Sequence, residues 1–356
     1  MKNERVIVAL SGGVDSACAA LRLKEEGFTV EGVCLDLFPG STAPKEAEAI
    51  GQALSIPVTV VEARHRFRQE VMTRFCRTYG EGKTPNPCVL CNPQVKFHLL
   101  LAHADSRGVS LVATGHYARS VYHKETGRFR LLRGLDERKD QSYFLSRLTQ
   151  AQLSRIRFPL GENTKDEVRE TVRRLGLPVA EKRDSQEICF IGDGDYQGFL
   201  RQFAATEAGT AEMAAKGFIP GDFVDARGKV LGRHQGLACY TVGQRKGLGL
   251  ALGFPAFVLA LRPEENLVVI GPEEALAQHT VFTAENAFIA RDLPDSPLLL
   301  HAKLRSGAAL AEAMYYPGGQ AQARLVFTKP QRAVTPGQTA VYYGGEEVLG
   351  AGMIFG

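Results

Sequence analysis

Tryptophan is missing from the 356 residues, and no apolar run approaches the ~18 residues that a helix needs to cross a membrane. Nor is there an excess of charge of one sign. Lys and Arg number 43 against 39 Asp and Glu, a formal net charge of +4, so a nucleic-acid partner would have to be met by a local basic patch. No leader is expected, because Met1-Lys2-Asn3-Glu4-Arg5 passes directly into apolar residues, which points to a cytoplasmic chain without a membrane partner. The seven cysteines are an odd number in a long chain, which argues for thiol chemistry in a reducing compartment rather than a disulfide scaffold. Neither a second Cys-x-x-Cys nor a paired histidine motif is present to complete a zinc site.

What is there begins with Ser11-Gly12-Gly13-Val14-Asp15-Ser16, directly after the apolar run Val6-Ile7-Val8-Ala9-Leu10. Five apolar residues without alternation suit a strand buried on both faces of a parallel sheet. A helix is expected over 17–26, ended by Gly27. Glycines between a strand and a helix let backbone amides approach a ligand, and the helix N-terminus adds partial positive charge, so the turn reads as a phosphate cradle. No Gly-Lys-Ser/Thr follows, so it is not the kinase-type loop.

Further along, strands are expected over 30–35, 56–61 and 110–113, and helices over 44–54, 64–79 and 94–107. That alternation implies right-handed βαβ units and a doubly wound parallel sheet, with ligands beyond the C-terminal strand ends. The turn Thr114-Gly115-His116-Tyr117 falls on the same edge as the glycine loop, making His116 a candidate substrate or phosphate contact. Around 202–220 the composition shifts to Ala, Gly, Thr and Glu, and short strands with turn signals follow over 223–225, 257–261, 267–270, 323–327 and 340–343. The expected division is 1–203, a Rossmann-like α/β catalytic domain; 204–275, a small β domain; and 276–356, a barrel-like β domain.

Two segments hold the candidate thiols. The prolines of Thr84-Pro85-Asn86-Pro87-Cys88-Val89-Leu90-Cys91-Asn92 argue for a loop ahead of a helix whose dipole would favour a thiolate. Asp184-Ser185-Gln186-Glu187-Ile188-Cys189-Phe190 places Cys189 in a short apolar run. A lone Cys-x-x-Cys is compatible with redox, zinc or iron–sulfur roles. Cys18, Cys34, Cys76 and Cys239 read as structural. The helix expected over 165–175 carries Lys165, Arg169, Arg173 and Arg174, which could face phosphates or be balanced by Asp166, Glu167 and Glu170.

The glycine loop resembles that of the ATP pyrophosphatase (PP-loop) superfamily. The ordered set of that loop, the Thr84–Asn92 motif, Ala113-Thr114-Gly115-His116-Tyr117-Ala118-Arg119, Lys139-Asp140-Gln141-Ser142-Tyr143, Ile188-Cys189-Phe190, Gly243-Gln244-Arg245-Lys246-Gly247 and Thr335-Pro336-Gly337-Gln338 is similar to the bacterial tRNA-specific 2-thiouridylases. The resemblance spans essentially the whole chain. It implies a sulfurtransferase in which ATP adenylates the C2 oxygen of the wobble uridine, with ATP held by Ala9, Leu10, Ser11, Gly12, Gly13, Val14, Asp15, Ser16, Leu35 and Gly115, and with Mg²⁺ at Asp15.

It further implies a persulfide on Cys189, loaded by a sulfur-relay or cysteine-desulfurase protein, that attacks C2. Cys91 would then release sulfide from the persulfide or resolve it as a disulfide. Asn86, Pro87 and Cys88 would hold the flipped base, and His116, Lys139, Asp140, Gln141, Lys303, Arg305, Ser306 and Gln338 would touch the anticodon region of tRNA. The chain departs from the family at Cys88, where some members carry Asp, and at Ser306, where Tyr is common. The first departure leaves open an alternative in which Cys88, Cys91 and Cys189 hold a [4Fe–4S] cluster. A non-thiolating adenylating enzyme of the superfamily is the other alternative.

Overall fold

A computed structural model describes residues 4–174, 176, 179, 182, 188–192, 194–206 and 217–355. Asp184, Ser185, Gln186, Glu187 and Leu175, together with much of the 202–220 composition shift, lie outside the described residues.

The apolar run after Glu4 forms β1 (Arg5–Ala9), at the centre of a five-stranded parallel sheet. On one side lie β2 (Thr29–Asp36) and β3 (Val58–Glu62), on the other β4 (Leu111–Ala113) and β7 (Ile156–Arg157). Val6 registers with Val30 on one neighbour and Leu111 on the other. Val6, Ile7 and Val8 have no exposed surface, because helices cover both faces, so the strand needs no polar alternation. Helix α1 (Val14–Glu25) packs Ala17, Ala20 and Leu21 onto one face, and Phe97–Ser106 packs Phe97, Leu100 and Ala104 onto the other. The doubly wound expectation describes this sheet.

One local expectation fails. The 84–92 segment does not stay a loop: Pro87–Cys91 is helical and continues through a π-type turn, Asn92–Lys96, into Phe97–Ser106. Pro87 occupies the first turn, where the missing N–H would have had no partner, and the wider turn accommodates Pro93. Cys88 and Cys91 therefore sit inside a helix rather than ahead of one.

The second sheet has four strands, with Gly221–Val224 between Leu267–Gly271 and Val230–His234 and with Phe257–Arg262 at one edge. The third is a closed six-stranded barrel, because Ala277–Phe288 pairs with both Ala323–Arg332 and Glu347–Ile354. A hairpin that the sequence reading missed, β5 (Ala118–His123) and β6 (Arg128–Arg133), leaves the α/β domain and joins the barrel sheet through Leu131 and Leu132 against Val348 and Glu347.

All three units meet at residues 82–86. The Thr84 amide donates to the Pro336 carbonyl at 2.9 Å, and its hydroxyl lies 3.2 Å from that of Thr241. Gln338 Nε2 donates to the Thr84 and Pro85 carbonyls at 3.0 and 3.2 Å. Gly337 has φ of +89°, and a Cβ there would sit 2.9 Å from the Thr84 carbonyl oxygen. We therefore expect Gly337→Ala to cost about 1–3 kcal/mol, from left-handed strain plus displacement of the Thr84 segment. Thermal melting checks the loss, and limited proteolysis should find faster cleavage near Thr84; an unchanged melting curve would contradict the clamp.

Candidate active site

The Ser11–Ser16 turn is closed on itself: the Ser16 hydroxyl donates to the Gly13 carbonyl at 2.9 Å and accepts from the Ser11 amide at 3.2 Å. Gly13 is the N-cap of α1 and supplies no capping side chain, which leaves the first-turn amides for a ligand. Gly12 takes φ of +74°. The turn after β4 presses against this loop. A Cβ on Gly115 would lie 2.6 Å from the Asp15 carbonyl carbon and 2.9 Å from the Ser16 nitrogen, so glycine is required for close approach rather than for its dihedral freedom.

A cavity of about 560 Å³ opens above these turns. Its wall includes Ala9, Leu10, Ser11, Gly13, Val14, Asp15, Ser16, Leu35 and Gly115, along with His116, Lys139, Gln141 and Cys189. The apolar side is built from Val33, Leu37, Phe38, Phe97 and Leu100, a surface suited to a nucleoside. Gly12 does not line it; its carbonyl faces Lys182 Nζ at 3.4 Å.

Charge at the mouth is organised in pairs. Asp15 accepts from Lys165 Nζ at 2.7 and 2.9 Å and from the Tyr117 hydroxyl at 2.8 Å. Lys165 is buried at the start of Lys165–Arg174, and its amide donates to Asp136 at 3.1 Å. Of the two readings of Lys165, the solvated face balanced by the helix's own carboxylates is excluded by its burial against the loop beside Asp15, which local sequence does not show. Lys182 holds Glu46 at 2.7 Å. Sequence reading missed these partners, although Tyr117 stands in the recognised Thr-Gly-His-Tyr turn.

His116 stacks near Phe97 and Phe158, with Nδ1 2.8 Å from the Thr114 hydroxyl. Burial and the nearby Lys96 ammonium push its pKa down to about 3. It is a neutral imidazole at physiological pH, so it meets substrate as a hydrogen-bonding ring and not as a phosphate-binding cation.

Of the thiols, Cys189 is exposed, Cys88 half-buried and Cys91 buried, and all seven cysteines are free. Cys91 packs with Phe67, Val71 and Val95, a cluster that Phe190 also joins, so the two candidate thiols are brought to one neighbourhood from distant sequence. Desolvation pushes the Cys91 thiol up to about 12, against the pull of Lys96. The expected lowering by a helix dipole is thereby reversed, because burial outweighs it. Cys189 is also raised by desolvation, with Lys96 again opposing. Among the described residues no three Cys, His, Asp or Glu side chains converge as metal ligands, so Cys88, Cys91 and Cys189 as placed do not form a cluster cradle.

The remaining candidates are dispersed. Asn86 reaches the Tyr143 hydroxyl, which itself donates to the Thr339 carbonyl at 2.7 Å. Pro87 opens the cysteine helix. Asp140 turns inward, accepting from the Gly134 and Ser142 amides at 3.1 and 3.0 Å, while Gln141 accepts from the Tyr117 amide at 3.0 Å. Lys303 Nζ lies 5.9 Å from the Tyr343 ring centroid, and Arg305 and Ser306 are exposed beyond that strand. No helix among the described residues is long and apolar enough to cross a membrane.

A depressed folded-state pKa on His116 contributes stability that is complete above the unfolded value near 6.5 and is lost as pH falls toward about 3. His116→Gln should therefore flatten the decline in melting temperature just below pH ~6.5. A slope identical to the parent's would contradict a buried neutral ring.

Three family models match in order: the tRNA methyl transferase HUP domain over 4–193, the tRNA methyl transferase PRC-barrel domain over 213–272, and the aminomethyltransferase beta-barrel domain over 278–354. Relatives named tRNA-specific 2-thiouridylase MnmA include one from Moorella thermoacetica, 46% identical over 98% of this chain and 98% of its own length. Those from Heliobacterium modesticaldum and Acidithiobacillus ferrooxidans are 46% and 45% identical, over 99% and 100% of this chain and 92% and 99% of their own. With the PP-loop geometry, the PRC-barrel and the closed β-barrel in that order, the chain belongs to the MnmA family of tRNA-specific 2-thiouridylases.

Proposed function

We propose that this protein 2-thiolates the wobble uridine of tRNA at the expense of ATP, with the cavity above the glycine loop as the place where both chemical steps occur. The observation that carries the reading is that Cys189 lines the same wall as the Ser11–Ser16 loop and Gly115. A sulfur nucleophile and a nucleotide phosphate thus share one space.

In the first step the uridine C2 oxygen attacks the α-phosphorus of ATP. An O–P bond forms, the bond to the β-phosphate oxygen breaks, and pyrophosphate leaves. The uncapped amides of α1 and the Lys165 ammonium beside Asp15 stabilise the phosphate charge. Magnesium enters with ATP as part of the substrate and neutralises phosphate charge. Asp15 is the one carboxylate within the loop available to it.

In the second step the terminal sulfur of a Cys189 persulfide forms a bond to C2. The Cys91 thiolate then attacks Sγ of Cys189, breaking the persulfide S–S bond. AMP departs, C2 keeps the sulfur, and the two cysteines are left as a disulfide. The transferred sulfur gains the two electrons that the thiols lose, and a dithiol reductant resets the pair. A sulfur-relay or desulfurase protein in the cytoplasm loads Cys189, whose exposure suits delivery by another protein. Asn86 to Cys88 hold the extruded base, and the barrel residues Arg305, Ser306 and Gln338 face the anticodon arm. Gln338, bound to the Thr84 and Pro85 carbonyls, also orders the base-holding segment.

The test is incubation with unmodified tRNA, ATP and a sulfur donor, followed by nucleoside analysis. The expected product is 2-thiouridine at the first anticodon position, and ATP-to-AMP turnover that needs no RNA would overturn the reading. Cys189→Ser should lower thiolation by roughly 10³-fold with tRNA binding nearly unchanged. Asp15→Ala should slow pyrophosphate release by about 10²-fold. Parent-like thiolation by the first or parent-like pyrophosphate release by the second would remove that residue from its role.

A further inference from the structure

Four ammonium groups line the cavity, from Lys96, Lys139, Lys165 and Lys182. Lys165 is held by Asp15, Lys182 by Glu46, and Lys139 has contacts of its own. Lys96 is half-buried, and among the described residues its ammonium has no hydrogen-bond or ion-pair partner. A desolvated cation without a counter-ion is costly, so its retention needs an anion that arrives with the reaction.

The groups around it are thiols. Lys96 sits at the end of the π-type turn that follows Pro87–Cys91, so its backbone is fixed relative to Cys88 and Cys91. It shares the cavity wall with Cys189. Its charge acts on Cys88, Cys91 and Cys189 together, and it opposes the burial that raises Cys91 and Cys189. The other titratable side chains facing the same space are His116, which is neutral, Tyr117, whose hydroxyl donates to Asp15, and Asp15 and Glu46, each already paired with a lysine.

We propose that Lys96 is the positioning residue for sulfur: its unpaired ammonium holds the anionic persulfide on Cys189 toward the uridine and then accommodates the Cys91 thiolate as it attacks. The proposal rests on the sulfur-transfer reading above. It assigns the phosphate step to the glycine loop and Lys165, and the sulfur step to Lys96.

The experiment uses the full-length enzyme and reads each step separately. Iodoacetamide alkylation of Cys189, followed by mass spectrometry from neutral to alkaline pH, reports its thiolate without tRNA. Single-turnover pyrophosphate release with tRNA and ATP reports adenylation. For Lys96→Met, Cys189 alkylation should be about tenfold slower below its midpoint, which moves up by about one pH unit. Thiolation should fall by about tenfold or more, with pyrophosphate release within about twofold of the parent. Lys96→Arg should restore the alkylation profile. Should Lys96→Met fail to fold by circular dichroism, Lys96→Gln replaces it.

An alkylation profile that overlays the parent's overturns the proposal. So does a loss of pyrophosphate release in step with thiolation, which would make Lys96 an ATP ligand. If the parent makes no 2-thiouridine, the sulfur-transfer reading fails, while the alkylation profile still decides whether Lys96 governs Cys189.

Discussion

Two backbone turns pressed together where no side chain fits are the constraint on which the site depends. Gly115, at the end of β4, lies against the peptide at Asp15–Ser16, at the end of β1. Because neighbouring parallel strands end at the same sheet edge, their turns necessarily meet there. Removing the Cβ lets them meet backbone to backbone. That contact fixes the amides of α1 and points Asp15 outward, where Lys165 and Tyr117 close on it. Every other feature of the cavity is arranged about this floor.

The cysteine helix is positioned by a different route. Cys88 and Cys91 are helical residues whose segment begins at a three-way junction, gripped by the 335–338 turn of the barrel and by Thr241 of the four-stranded unit. The barrel is therefore a structural neighbour of the cysteine helix. The β5–β6 hairpin strengthens the connection, since it extends the barrel sheet from within the α/β domain and buries Leu131 with Val348. Any displacement of the barrel would be transmitted to the segment carrying Asn86 and Cys88 through these hydrogen bonds.

Electrostatics in the cavity follow from pairing. Carboxylates meet lysines, the histidine is neutral, and Lys96 alone among the described lining lysines has no partner in view. Desolvation makes both Cys91 and Cys189 reluctant to ionise, against the opposing charge of Lys96. A low-dielectric pocket with a single uncompensated cation makes ionisation of sulfur depend on position.

The amino-acid sequence by itself pointed to the parallel sheet, because five unbroken apolar residues suit a doubly covered strand and strands alternate with helices after it. It also determined the phosphate loop, because Gly, Ser and Asp at that spacing encode a turn of restricted geometry. Motif order sufficed to bring Cys91 and Cys189 into one proposal. Tertiary structure alone decided the rest. Pro85 and Pro87 argue for a loop over 84–92, whereas Pro87 in fact sits in the first turn of a helix. Lys165 read as a surface cation until its pairing with Asp15, 150 positions away, placed it in the wall. The physical reason is common to both: local preference reports what a residue tolerates, whereas burial and long-range pairing report which neighbour it finally meets, and only packing supplies that neighbour.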